Sequence, residues 1–137
     1  MVLQQQANVA LWGTAIKNAN IVIVTSWNKK SYAFKADGNG NWDTKISTPN
    51  AGGPYSISIS DGEKTVLNNV LIGEVWVCAG QSNMEMPLRG NSSPILNASE
   101  IILHADNPNL RLYHVGRASS LTAVTDTKGE WNEATSE

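Results

Sequence analysis

Residues Tyr55–Ser60 read Tyr-Ser-Ile-Ser-Ile-Ser, with apolar and polar side chains in strict alternation. Successive side chains of a strand point to opposite faces, so this stretch demands a β-strand with one face buried and the other wet. Its surroundings speak the same language. Ile21–Trp27 is β-branched and bounded by asparagine-rich segments. Tyr32–Ala36 follows, and Asp37-Gly38-Asn39-Gly40 then supplies residues that tolerate positive φ. Trp42–Ser47 alternates large or apolar residues with polar ones, so it is expected to form a hairpin with Tyr32–Ala36. Asp61-Gly62 turns the chain again. Four or more short strands at this spacing predict a small antiparallel β-sandwich over residues 1–70.

The chain has 137 residues, enough for one ordinary domain or two small ones with a real core. Charged residues make up 16% of it, so polarity comes mainly from Asn, Ser, Thr and Gly. The net charge is −2 and Lys29-Lys30 is the only basic pair, which argues against a nucleic-acid or polybasic membrane partner. No apolar run approaches the ~18 residues of a membrane-spanning helix. Met1–Gln6 has neither the basic start nor the apolar stretch of a signal peptide. Cys78 is the sole cysteine, so neither an internal disulfide nor a cysteine zinc cluster is possible.

The character changes at Val70–Ala79, which is almost continuously apolar. Such a run suits a parallel-sheet strand covered on both faces. Asn97–Asp106 is predicted helical, with Asn97 or Ser99 as cap and Asn107-Pro108 as terminator. Leu110–Val115 reads as the next strand. Strand, turn, helix and strand make one βαβ unit, so a second domain is expected over residues 71–137. Ligands of open α/β sheets bind beyond the C-terminal strand ends. Gly80-Gln81-Ser82-Asn83 occupies that position. Gly80 permits a sharp bend, and Ser82 would project into the site. A helical turn starting there would aim free N–H groups at the oxyanion formed when a serine attacks an ester. The arrangement is like a nucleophile elbow without the G-x-S-x-G pattern. By spacing alone, a serine in this place is ordinarily a turn residue or helix cap.

Gly73-Glu74-Val75-Trp76-Val77-Cys78-Ala79-Gly80-Gln81-Ser82-Asn83-Met84-Glu85-Met86-Pro87 closely resembles the sialate O-acetylesterase family of SGNH-type hydrolases. The resemblance extends through Met1–Gln5, Asn41-Trp42, Ala51–Tyr55, Asn69–Gly73, Asn109–Leu112 and Gly129–Trp131. It implies a β-sandwich-like segment followed by a flavodoxin-like α/β hydrolase domain. It also implies that Ser82 is the nucleophile and lends its own N–H to the oxyanion hole; beside it, Gln81, Asn83 and Glu85 stand where they could touch substrate. Asn83 and Glu85 could equally cap the turn after Ser82. The implied substrate is an acetylated sugar, with no metal or organic cofactor, and the implied setting is periplasmic or secreted. Hydrolases of acetylated xylan or other glycans carry the same Gly-Gln-Ser-Asn-Met signature. A third reading makes the β-sandwich a carbohydrate-binding or domain-packing module.

The family also uses a distal glycine and asparagine and an Asp-x-x-His segment, and no Asp-x-x-His occurs here. His104 and His114, the only histidines, read as surface or satisfied structural residues. A serine without an adjacent base is a poor nucleophile. The chain is therefore expected to be an N-terminal fragment, truncated within its hydrolase domain and inactive alone. A truncated sheet would leave residues 71–79 with an open edge, inviting a dimer, a strand swap or packing on the sandwich. Trp12, Trp27, Trp42, Trp76 and Trp131 are expected to anchor cores or domain contacts rather than stack on sugars, and Cys78 to be buried and inert. Asn91-Ser92-Ser93 and Asn97-Ala98-Ser99 match the glycosylation sequon, which has meaning only in a secreted eukaryotic protein.

Overall fold

A computed structural model describes residues 1–88, 90, 95–124 and 126–136, without the side chain of Glu85. The Asn91-Ser92-Ser93 sequon lies outside the described residues. The chain divides into two compact units, Met1–Val75 and Trp76–Glu137.

The first unit is built from β1 (Val2–Gln4), β2 (Asn8–Thr14), β3 (Asn20–Thr25), β4 (Ser31–Lys35), β5 (Asn41–Ser47), β6 (Gly52–Ser60) and β7 (Lys64–Gly73). One sheet runs β1-β7-β6-β3-β4, and β2 pairs with β5 in a second. Both contribute to one core. Ile21 and Ile23 of β3, Ile57 of β6 and Val70 of β7 meet Ile46 of β5 there. Ile23, Ile46, Ile57 and Val70 are wholly buried. The alternation read from Tyr55–Ser60 is the reason: Tyr55, Ile57 and Ile59 turn to the core.

β4 and β5 do not form the expected hairpin. β4 pairs with β3, and β5 pairs with β2. The chain crosses from one sheet to the other through Asp37–Gly40. Asp37 holds this crossing, its Oδ1 accepting the N–H groups of Asn39 and Asn41 at 2.8 Å each. Phe34 and Trp42 then meet inside, with ring centroids 5.8 Å apart. The true hairpin joins β3 to β4, where Thr25 and Lys30 both bond the Asn28 side chain.

β2 was not anticipated, because its sequence hides the alternation. Val9, Leu11 and Gly13 face inward while Ala10 and Trp12 face out, so both faces carry apolar residues. Gly13 is small for a reason: a Cβ there would come within 2.7 Å of the Trp42 ring.

The expected 70–79 strand is also different. β7 ends at Gly73 and lies between β6, antiparallel, and β1, parallel. Its apolar end is continuous because Val70, Leu71 and Ile72 are all buried in this sheet. Beyond Gly73 a side-chain clamp takes the chain out of the ladder. Gln4 and Gln5 donate to the two oxygens of Glu74, at 3.1 and 2.6 Å. Gln4 Oε1 accepts Val75 N–H at 3.0 Å, and Gln5 Oε1 accepts Ala51 N–H at 2.9 Å. Residues 75–80 have no regular structure. Trp76 and Val77 are 84% and 91% exposed, and Cys78 is exposed rather than buried.

The clamp gives a pH prediction. The amides of Gln5 and then Gln4 hold the Glu74 carboxyl below its ordinary range. A depressed native pKa stabilises fully above the unfolded value, and that stability is lost as pH falls through the native value. Wild type is expected to melt above Glu74→Gln near neutrality, with the gap closing below about pH 4. Asp37 is lowered too, but it is present in both proteins and cancels. A gap independent of pH in thermal scans would refute the assignment.

The second unit holds α1 (Ala98–Leu103), β8 (Asn107–Val115) and β9 (Gly129–Ala134). The helix is shorter than predicted. Asn97 precedes it in a left-handed conformation without a side-chain cap, and its carbonyl accepts the N–H groups of Glu100 and Ile101. β8 pairs antiparallel with β9, not parallel with residues 71–79, so the described residues do not form the expected βαβ unit. Arg111 and Glu133 join the two strands at 3.0 Å, and the rings of Tyr113 and Trp131 lie 5.2 Å apart. Among the described residues of this unit, only Ala134 is a buried apolar residue. A unit with so little core draws little stability from apolar burial.

Candidate active site

Ser82 opens a single 3-10 turn, Ser82–Glu85, in the second unit. Gln81 caps it with φ −110° and ψ −143°, and its carbonyl accepts Met84 N–H at 2.9 Å. Met86 N–H closes the turn on the Asn83 carbonyl. Gly80 matters here through close approach: a Cβ on it would meet Met84 Cγ at 2.9 Å. The crowding comes from the Met84 side chain folding back over the bend.

A 3-10 turn leaves its first N–H groups without internal acceptors. Those of Ser82 and Asn83 have no acceptor among the described residues, and the Ser82 hydroxyl has no hydrogen-bond partner there. Gln81, Ser82 and Asn83 are all exposed. The three sequence-predicted site residues are thus adjacent, in water, with donors pointing out of the turn. Neither Gln81 nor Asn83 supplies a side-chain cap, and the Glu85 side chain lies outside the described residues.

No base joins them. His104 Nδ1 lies 2.9 Å from the Glu100 carbonyl at the end of α1. His114 is exposed on β8 opposite Glu130. Asp106 and Asp126 accept backbone N–H groups of Ser136 and Thr127, so neither orients a histidine. Chemically the described residues hold a hydroxyl and two N–H donors without a described acceptor, groups of the kind that acyl transfer by a serine uses.

The first unit contains an open groove of about 570 Å³ between Gln6–Asn8 and Ser47–Asn50. Its hydroxyl at Thr48 is already engaged, donating to the Gln4 carbonyl at 2.7 Å. The Gln4–Gln5–Glu74 clamp escaped sequence reasoning. Its only signal was three polar residues at the ends of apolar strands.

No family model matches the chain. It is 27% identical to mouse sialate O-acetylesterase over 149 residues, which is 98% of this chain and 27% of that protein. To the human sialate O-acetylesterase it is 26% identical over 152 residues, covering 28% of that protein. A solved carbohydrate acetylesterase from Xanthomonas citri superposes with a TM-score of 0.87 and 32% identity, over 98% of this chain and 30% of that one. The chain therefore spans under a third of the length of each of these relatives.

Proposed function

The chain belongs to the sialate O-acetylesterase-like family, and from that premise we propose that residues 80–84 are the nucleophile segment of a serine carbohydrate O-acetylesterase. The observation that carries this is Ser82 at the head of an exposed turn whose first N–H groups have no acceptor among the described residues. A histidine supplied from outside the described residues takes the Ser82 proton as Oγ attacks the acetyl carbonyl. The Ser82 N–H and further donors hold the oxyanion. The tetrahedral intermediate collapses, and the imidazolium returns its proton to the departing sugar hydroxyl. Water, deprotonated by the same histidine, then attacks the acetyl-enzyme and releases acetate. Gln81 and Asn83 lie beside the reacting atoms and contact the sugar.

In this reading the first unit is a β-sandwich module. Residues 75–79 become the strand leading to Ser82 only when the remainder of a hydrolase sheet lies beside them. The relatives' length supports this, and so does the exposure of Trp76 and Val77. The parent protein acts in a periplasmic or secreted setting. Mammalian relatives bear the name sialate O-acetylesterase, which favours acetylated sialic acid as substrate. The bacterial neighbour, described as a carbohydrate acetylesterase, favours a broader range of acetylated glycans.

Acetate release tests both points. Residues 1–137 are expected to turn over an aryl acetate about a million-fold more slowly than a version extended to the relatives' length. Comparable turnover from the two would overturn the incomplete-site reading. Release from O-acetylated sialic acid but not from acetylated xylan would select the narrower substrate.

A further inference from the structure

The tryptophans of the first unit divide in a way their sequence did not announce. Trp27 donates its indole N–H to the Ser47 carbonyl at 3.1 Å and meets Tyr55 edge-on. Trp42 lies against Phe34 and over Gly13. Trp12 is 68% exposed and does not pack on the core. It stands on the outer face of the two-stranded β2–β5 sheet.

The register fixes its neighbours. Asp43 is directly opposite Trp12, and Lys45 is opposite Ala10. Directly paired residues hold their Cβ atoms roughly 5 Å apart, with diagonal neighbours slightly farther. Thr14 follows Trp12 on the same side of β2. Among the described residues, Trp12, Thr14, Asp43 and Lys45 have no side-chain hydrogen bond or ion pair. The face thus offers one broad indole between the small side chains of Ala10 and Thr14. A carboxylate acceptor and an ammonium donor, of cancelling charge, lie alongside.

We propose that this face is a second carbohydrate site, which stacks a neutral pyranose ring on Trp12. The apolar C–H face of the sugar covers the indole, and its hydroxyls donate to Asp43 and accept from Lys45 and Thr14. A single flat aromatic with small neighbours suits a thin ring better than the interlocking anchors of a protein interface. The choice of a carbohydrate rests on the acetylated-sugar reading given above. The site itself is independent of Ser82, which lies in the other unit.

Nuclear magnetic resonance titration of the 1–137 chain with xylohexaose tests it. Shift changes are expected on β2 and β5, with affinity near the millimolar range. Trp12→Ala should weaken binding by about tenfold or more, while Trp12→Phe should retain most of it and Ser82→Ala all of it. Absence of binding at roughly 10 mM xylohexaose would overturn the proposal. So would binding that survives Trp12→Ala, or a Trp12 indole shielded from water in the extended protein, which would assign the face to domain packing. The two readings fail separately. Aryl acetate hydrolysis by the extended protein should be unchanged by Trp12→Ala, and xylohexaose binding should be unchanged by Ser82→Ala.

Discussion

Replacing Ser82 with alanine in a version extended to the relatives' length is expected to lower acetate release by about a million-fold. In the proposed mechanism the removed hydroxyl is the attacking group, so nothing downstream can proceed without it. The same substitution in 1–137 should leave thermal unfolding unchanged. Ser82 is exposed, and its hydroxyl has no hydrogen-bond partner among the described residues. This pairing separates chemistry from folding. Residual turnover within tenfold of wild type would remove Ser82 from the mechanism. A lowered melting temperature would show that the hydroxyl has a structural role.

Ile57→Ala should have the largest effect on stability. Ile57 is wholly buried, pairs with Thr25 on β3 and Leu67 on β7, and belongs to the core shared by both sheets. Truncating such a side chain costs about 2–5 kcal/mol. Small domains hold only about 5–15 kcal/mol in total, so much of the first unit's stability would go. Val24→Ala is the matched control. Val24 is 38% exposed on the outer face of β3, and its truncation should cost under about 1 kcal/mol. Urea unfolding of the three proteins decides the matter. Equal losses from both variants would mean that the core is not where the burial pattern puts it.

Fold and site were unequally legible in the sequence. β6 was readable because Tyr55–Ser60 carries its periodicity without interruption. The Asp37–Gly40 turn was readable as a turn, but not as a crossing between sheets. The same positive-φ chemistry serves either purpose, and the partner of a strand is a long-range property. β2 was hidden because Trp12 faces water where an inward aromatic was expected. The 70–79 run misled for a related reason. Its apolarity is that of a single strand, while the structure buries only its first three residues and leaves Trp76 and Val77 exposed. At the candidate site, Gly80–Met84 was recognisable because the motif is local, and the structure shows it as an exposed turn. A base was not recognisable, because no Asp-x-x-His pattern occurs in the sequence.

The parallel pairing of β1 with β7 has a kinetic meaning. Gln5 and Glu74 are 69 positions apart, and among the described residues β1 pairs only with β7. Contacts so distant in sequence close late and slow the search for the native state. On a ribosome, β6 can pair with β3, which already carries β4 on its other edge, as soon as it emerges. The residues of β1, made well before β7, must wait for it before they find a place. β1 is therefore the last part of this sheet to settle, and the part most available to a chaperone or a neighbouring strand while it waits.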